Sequence, residues 1–210
     1  MWTTLIARNF SGKSSLVLAL LNLINRTGDI KIDGIDPKAI PPDVLRSRIT
    51  TIAQDPVKLP GTIRNNIVPS DLFEFTHTNP ITDEDIIEVL RELCIWDFIR
   101  ENGGLDRQYE EVGFSDGQRQ LVALAAAVIH NRVMGTRLVI IDEATAHLDY
   151  TTDDTVQAYL ETVFESSTVI SITHRRKGFP NPDYSIRCVG GELETVICHT
   201  PRAIDFTQCE

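Results

Sequence analysis

An α/β fold with a mostly parallel sheet flanked by helices is what this sequence predicts, and three observations carry that expectation. Strand-like and helix-like patterns alternate along the chain, the arrangement that joins parallel strands through crossover helices. Arg137-Leu138-Val139-Ile140-Ile141 is a continuous apolar run ending at Asp142-Glu143, as a central strand covered on both faces requires. Gly12-Lys13-Ser14 stands between the apolar pair Leu5-Ile6 and a leucine-rich helical pattern, the setting of a phosphate-binding loop. At 210 residues the chain suits one domain with a substantial core.

Ser15 to Ile24 carries Leu16, Leu18, Leu20, Leu21 and Leu23, apolar nearly all round, and predicts a buried helix. Asp29 to Asp36 alternates around Asp33-Gly34 and predicts a strand broken by a turn. Pro41 and Pro42 open a short helix through Leu45 and Arg46, because the fixed φ of proline suits a first helical turn. Ile49 to Ala53 forms a short strand running into Gln54-Asp55-Pro56, where proline stops it. Gly61 to Phe75 reads as loop with a helical turn, and His77 to Pro80 as a polar connection. Thr82 caps a helix whose Asp83, Glu84 and Asp85 suit its positive end and whose stripe is Ile86, Ile87, Val89, Leu90 and Leu93. A further short helix, Ile95 to Ile99, ends at Gly103-Gly104, and an alanine-rich helix runs from Leu121 to Ile129. After the apolar strand at 137–141, Asp153 to Phe164 is helical, Ser167 to Thr173 is a second apolar strand ending at His174, and Tyr184 to Ile197 reads as a hairpin around Gly190-Gly191.

Composition narrows the function classes. A net charge of −10 argues against a nucleic-acid partner gripped by a broad basic face, but not against a nucleotide, which a phosphate loop holds with local N–H groups and one lysine. The four cysteines, Cys94, Cys188, Cys198 and Cys209, form no Cys-x-x-Cys pair, so neither zinc nor a disulfide framework is indicated and reduced thiols in a cytosolic setting are expected. Cys198-His199 is no ligand pair, because adjacent strand residues face opposite ways. No apolar run approaches the ~20 residues of a membrane-spanning helix.

The chemistry gathers at strand ends. In the loop, backbone N–H groups around Ser11 and Gly12 would cradle phosphate, Lys13 would reach the terminal phosphates, and the Ser14 hydroxyl would ligate magnesium. Asp142 and Glu143 arrive at the rim where ligands bind in open α/β sheets; Asp142 suits a magnesium ion and Glu143 an attacking water. Gln54 follows one strand and offers a neutral amide to the metal or its water. His174 follows another, where a neutral imidazole suits a γ-phosphate oxygen.

Together these motifs resemble the nucleotide-binding domain of the ABC transporter family, in the family's order. Gly12-Lys13-Ser14-Ser15 is similar to Walker A, Gln54-Asp55-Pro56 to the Q-loop, and Phe114-Ser115-Asp116-Gly117-Gln118-Arg119-Gln120 to the signature motif. Leu138 to Glu143 is similar to Walker B, Ala146-His147-Leu148-Asp149 to the D-loop, and Thr173-His174-Arg175 to the histidine switch. The resemblance implies a single ATP-binding domain over residues 1–210, with a P-loop NTPase core in 1–60 and 132–210. It places the Q-loop and helical signature subdomain in about 61–131, with an incomplete antiparallel β region and no transmembrane domain. It implies ATP and Mg²⁺ as cofactors, ATP hydrolysis coupled to transmembrane transport, and catalytic roles for Glu143, His174 and Gln54. Ser11, Gly12, Lys13, Ser14 and Ser15 would bind the nucleotide, with Ser14, Gln54 and Asp142 at the metal. It also implies a second such domain, paired head to tail, so that Ser115, Gly117 and Gln118 touch the partner's nucleotide and Asp149 lies across the seam. Membrane domains of a transporter would complete the assembly, the chain then lying on the cytoplasmic side of the membrane.

Within the family, Gly61-Thr62-Ile63-Arg64-Asn65-Asn66 and Gly117-Gln118-Arg119-Gln120-Leu121 are similar to the second nucleotide-binding domain of subfamily C, the multidrug-resistance-associated type. In that subfamily the second domain keeps the Walker B glutamate, here Glu143, while its signature drifts from glycine, here to Asp116. A carboxylate there would repel a triphosphate and weaken the site on the signature side. Three departures stand out. Ala7 and Phe10 replace glycines of the phosphate loop, and only six residues precede Ala7, where the family has an antiparallel region with an adenine-stacking aromatic. Trp2 stands too near the loop for that role, and its expected place is against the strand leading into it. The resemblance is thus to an N-terminally truncated copy, with a catalytically weak or inactive nucleotide-binding remnant as the alternative to a working ATPase.

Overall fold

The computed structural model describes residues 1–7, 13–69, 81–173, 182–189 and 192–199. Within these, six strands form one sheet: β1 (Trp2–Ala7), β2 (Ile49–Ile52), β3 (Leu138–Asp142), β4 (Thr168–Thr173), β5 (Tyr184–Val189) and β6 (Glu192–Cys198), in the order β2-β3-β4-β1-β5-β6. Every neighbouring pair is parallel except β5 and β6, which run antiparallel as the hairpin pattern predicts. Among the described residues seven α-helices accompany it: α1 (Lys13–Leu20), α2 (Pro42–Ser47), α3 (Ile63–Ile67), α4 (Asp83–Glu92), α5 (Trp96–Glu101), α6 (Asp116–Met134) and α7 (Tyr150–Val163). None is long and apolar enough to cross a membrane.

The period of two in β3 divides its side chains between two cores. Val139 and Ile141 face a large cluster shared with α3 to α7, while Ile140 joins Leu45 and Ile49 in a smaller one against α1 and α2. All three are buried to 1% exposure or less, so the strand is covered on both faces as its apolar run predicts. Polar groups under the carboxyl end of α6 are paired as burial demands. Thr50 Oγ1 lies 3.0 Å from His130 Nδ1 and 2.6 Å from Thr136 Oγ1, and Asn131 Nδ2 donates to Thr136 O at 2.8 Å.

Local chemistry sets the helix ends. Thr82 caps α4 in a reciprocal box with Asp85, whose carboxyl is held below its ordinary value by the N–H and hydroxyl of Thr82. Arg64 of α3 pairs with Asp83 and Asp106, joining three segments of the chain.

Two expectations are corrected. The first helix is shorter and less buried than its leucines suggest: Leu16, Leu18, Leu23 and Ile24 are 37–48% exposed. It stops at Leu20 because Asn22 takes a left-handed φ of 53°, its N–H bonding Ala19 O while that of Leu23 bonds Leu18 O, a Schellman closure. The Asp29–Asp36 pattern is not a strand. Asp33 and Gly34, both at positive φ, fold it into a tight turn with a single bridge between Ile32 and Ile35, and Asp36 then caps a 3-10 turn at Pro37–Ala39. Residues 70–80 of the predicted loop and polar connection lie outside the described residues, and the side chain of Trp2 is likewise not described.

Candidate functional site

Register aligns the carboxyl ends of four strands. Ile52 of β2 sits beside Ile141, Asp142 of β3 beside Ile172, and Thr173 of β4 beside Ile6 of β1. With strands about 4.8 Å apart, the segments leaving β2, β3, β4 and β1 emerge along a single rim. Asp142 and Glu143, both half-buried, stand there, with Gln54 in an exposed bend two residues beyond β2. Glu143 departs from the strand: its φ is +50°, left-handed for a residue with a Cβ, and its N–H donates to Ile172 O at 3.0 Å while its carbonyl accepts from Ala146 N–H at 3.1 Å. A non-glycine residue held in that region stores about 1–3 kcal/mol and persists where its surroundings over-determine it. Here the ladder to β4 and the turn at Ala146 do so.

Of the expected phosphate loop, only the edges fall within the described residues. Ser11, Gly12 and Phe10 lie outside the described residues, as does His174 directly after β4. Lys13 and Ser14 open α1, their side chains not described, and Ser15 is exposed in the first turn of that helix. β1 and α1 therefore flank the loop as strand and helix, the context that its sequence requires.

The amino end of α6 is the second part of the site. Ser115 is its N-cap: Ser115 Oγ accepts from Gln118 N–H at 3.2 Å, and Gln118 Oε1 accepts from Ser115 N–H at 2.9 Å. Asp116 is not a bare charge. Its carboxylate pairs with the Arg119 guanidinium, which also donates to Phe114 O at 2.6 Å. Gly117 is required sterically: a Cβ there would lie 2.9 Å from the carbonyl oxygen of His147 and 3.5 Å from Leu148 Cδ2.

The segment Ala144–Asp149, between β3 and α7, thus packs on the first turn of α6. Asp149 caps α7, accepting from Thr152 N–H at 3.1 Å and Thr152 Oγ1 at 2.7 Å, and those bonds hold its carboxyl below the ordinary range. Gln120, which the sequence singles out only as part of a motif, is buried and touches both flanking loops. The signal that could have found it is a long polar side chain on the buried face of an otherwise apolar helix. Beside the Gln54 loop, a groove of about 820 Å³ opens between α2, the β2 edge and α6, lined by Arg46, Arg48, Ala123, Ala127 and His130 among others.

The rim offers oxygen donors suited to a hard cation, and the α6 terminus backbone N–H groups suited to a polyphosphate. Asp142 and the Gln54 amide are such donors, and among the described residues no three His, Cys, Asp or Glu side chains cluster. A magnesium ion, which keeps several waters, needs no such cluster.

Comparison with known proteins agrees with this arrangement. The family model described as ABC transporter matches residues 2–146. ATP-binding cassette transporter abc1 of Schizosaccharomyces pombe is 35% identical over 211 residues, covering 97% of this chain and 14% of that protein. ATP-binding cassette sub-family C member 4 of Mus musculus is 38% identical, covering 90% of this chain and 14% of that protein, and human sub-family C member 3 is 37% identical, covering 81% and 11%. The chain thus spans between about a tenth and a seventh of the length of these relatives. Among solved structures, a bacterial Atm1-family ABC exporter with ATP bound superposes with a TM-score of 0.79 at 25% identity, covering 94% of this chain and 33% of that one. With the family model, the ordered motifs and the sheet topology in agreement, the chain belongs to the ABC transporter family, as one of its ATP-binding domains.

Proposed function

We propose that this chain binds ATP with magnesium, hydrolyses it as one half of a head-to-tail pair of such domains, and thereby drives a membrane transporter. The observation that carries the reading is Glu143, held half-buried at the sheet rim in a left-handed conformation directly after Asp142. Strain of that kind collects where a side chain must be aimed.

In the proposed reaction Glu143 takes a proton from the attacking water. The water oxygen forms a bond to the γ-phosphorus, and the bond to the β–γ bridging oxygen breaks, releasing ADP and phosphate. Asp142, Gln54 and Ser14 would hold a magnesium ion, which would supply neutralisation of phosphate charge. Lys13 and the N–H groups around Ser11, Gly12 and Ser15 would cradle the phosphates, and His174 would hydrogen-bond the γ-phosphate. Ser115, Gly117 and Gln118, at the positive end of a 19-residue helix, would face the nucleotide of the partner domain. Gln118 would have to leave its capping bond to do so with its side chain. We further infer the division into a core of residues 1–60 and 132–210 and a helical subdomain between them. The likeness to subfamily C members supports a domain of that type, and we infer that it is the second, catalytically competent one, joined to membrane domains on the cytoplasmic side.

Measured Mg-ATP turnover tests this, with Glu143→Gln as the control. Loss of the base is expected to lower kcat by at least about 10²-fold while ATP still binds. Turnover equal to that of the control, with ATP binding retained, overturns the enzyme reading in favour of a nucleotide-binding remnant, the alternative that Ala7 and Phe10 motivate.

A further inference from the structure

Gln120 is 2% exposed on α6, and the two ends of its amide go to two different loops. Nε2 donates to the carbonyl oxygen of Gln54 at 3.4 Å, and Oε1 accepts from the N–H of His147 at 3.2 Å. Both targets are backbone groups outside regular structure, one after β2 and the other between β3 and α7. Gly117, three residues earlier and so on the same helix face, lies against the carbonyl of that same His147 residue, where a Cβ would come within 2.9 Å. α6 therefore clasps His147 at both backbone groups, its N–H through Gln120 and its C=O through the bare surface of Gly117.

We infer that Gln120 is a positioning residue that locks the Gln54 loop to the His147 segment, so that a displacement of either is passed to the other. The planar amide makes this connection stiff. Its oxygen and nitrogen are fixed relative to one another, and the Gln120 side chain that carries them is itself buried. On the hydrolytic reading, on which this inference rests, the two ends are the loop that bears Gln54 and the segment that leads to Asp149. Gln120 would thus keep the metal side and the partner side of the site in one geometry without touching nucleotide.

The test uses the full chain. Backbone amide spectra report both bonds without any turnover, because the N–H of Asp55 shares a peptide plane with the Gln54 carbonyl. In Gln120→Leu the Asp55 and His147 signals are both expected to move. Gly117→Ala, which pushes on His147, is expected to move the Asp55 signal in the parent background and not in Gln120→Leu. An equal response of Asp55 in both backgrounds overturns the coupling.

Gln120→Glu gives the kinetic arm and a second variant if leucine prevents folding. Its carboxylate still accepts from His147 N–H but repels the Gln54 carbonyl; protonated, it donates to that carbonyl again. Above neutral pH kcat is expected to fall by roughly tenfold with KM nearly unchanged, and the deficit to narrow as pH falls. A deficit that is independent of pH, or that falls equally on KM, reduces Gln120 to a packing residue. Absence of turnover in the parent chain would sink the hydrolytic reading instead, and the spectral arm would still decide the coupling.

Discussion

The sheet rim and the amino end of α6 are both parts of the candidate site, yet they are held by different means. Glu143 is aimed by long-range structure: a buried strand fixed by neighbours about 30 and 90 residues away in sequence, and a backbone bond from its N–H to β4. The cap from Ser115 to Gln118 is made by contacts within four residues, a reciprocal box beside the Asp116–Arg119 pair, while Gly117 within it packs against the distant His147 carbonyl. A site of the first kind fails with the core, and one of the second kind fails alone. The two regions should therefore respond to substitution on different scales.

The largest effect belongs to the strand under the rim. Ile141 is 1% exposed and packs in the cluster shared with α6. Ile141→Ala is expected to lower stability by about 2–5 kcal/mol in denaturant unfolding, through lost burial and the cavity left behind. A loss below about 1 kcal/mol would mean that β3 does not anchor the rim. Next comes Gly117→Ala, where the contact between the two regions is tightest. The new methyl meets a backbone oxygen, which cannot rotate away, so about 1–3 kcal/mol of strain or a displaced His147 segment is expected. Unchanged stability together with unchanged His147 amide signals would refute that contact.

A smaller effect isolates the strain at Glu143. Glycine is ordinarily less stable than alanine, by roughly 0.5–1 kcal/mol in a helix or strand, because it loses more freedom on folding. At a φ of +50° the order is expected to reverse, Glu143→Gly exceeding Glu143→Ala by about 1 kcal/mol although both lack the carboxylate. If alanine proves the more stable, the left-handed geometry is not what holds this residue.

Legibility in the sequence divides along the same line. Local signals are legible: the Thr82 box, the apolar run of β3 and the proline start of α2 all rest on residues close in sequence. The α1 error has a physical cause. Five leucines within a short window specify an apolar segment but not how much of it neighbouring elements cover, and Leu16 and Leu18 remain 38–40% exposed. The alternation at Asp29–Asp36 misled for a related reason, since period two describes any extended stretch, and a strand also needs a partner long enough to pair with. At the site, residue types were legible but their second partners were not. Nothing local in Asp116 announces the clamp by Arg119, and nothing in Gln120 announces two loops that approach only when β2, β3 and α6 pack together.

The smallest expected effect tests the locally built region by itself. Ser115→Ala removes the oxygen that accepts from Gln118 N–H, and a lost cap on an exposed turn costs about 0.5–1 kcal/mol. Ser115→Asp is the sharper variant. Aspartate caps as well as serine and favours the positive helix end, so stability should return to within a few tenths of a kcal/mol of the parent. The same carboxylate would, however, face the partner's triphosphate on the proposed reading, beside an Asp116 that is paired with Arg119. Restored stability with impaired ATP-dependent pairing, measured by sedimentation of Glu143→Gln chains with and without Ser115→Asp, would separate the cap from the contact. Restored stability with unimpaired pairing would leave Ser115 as a helix cap alone.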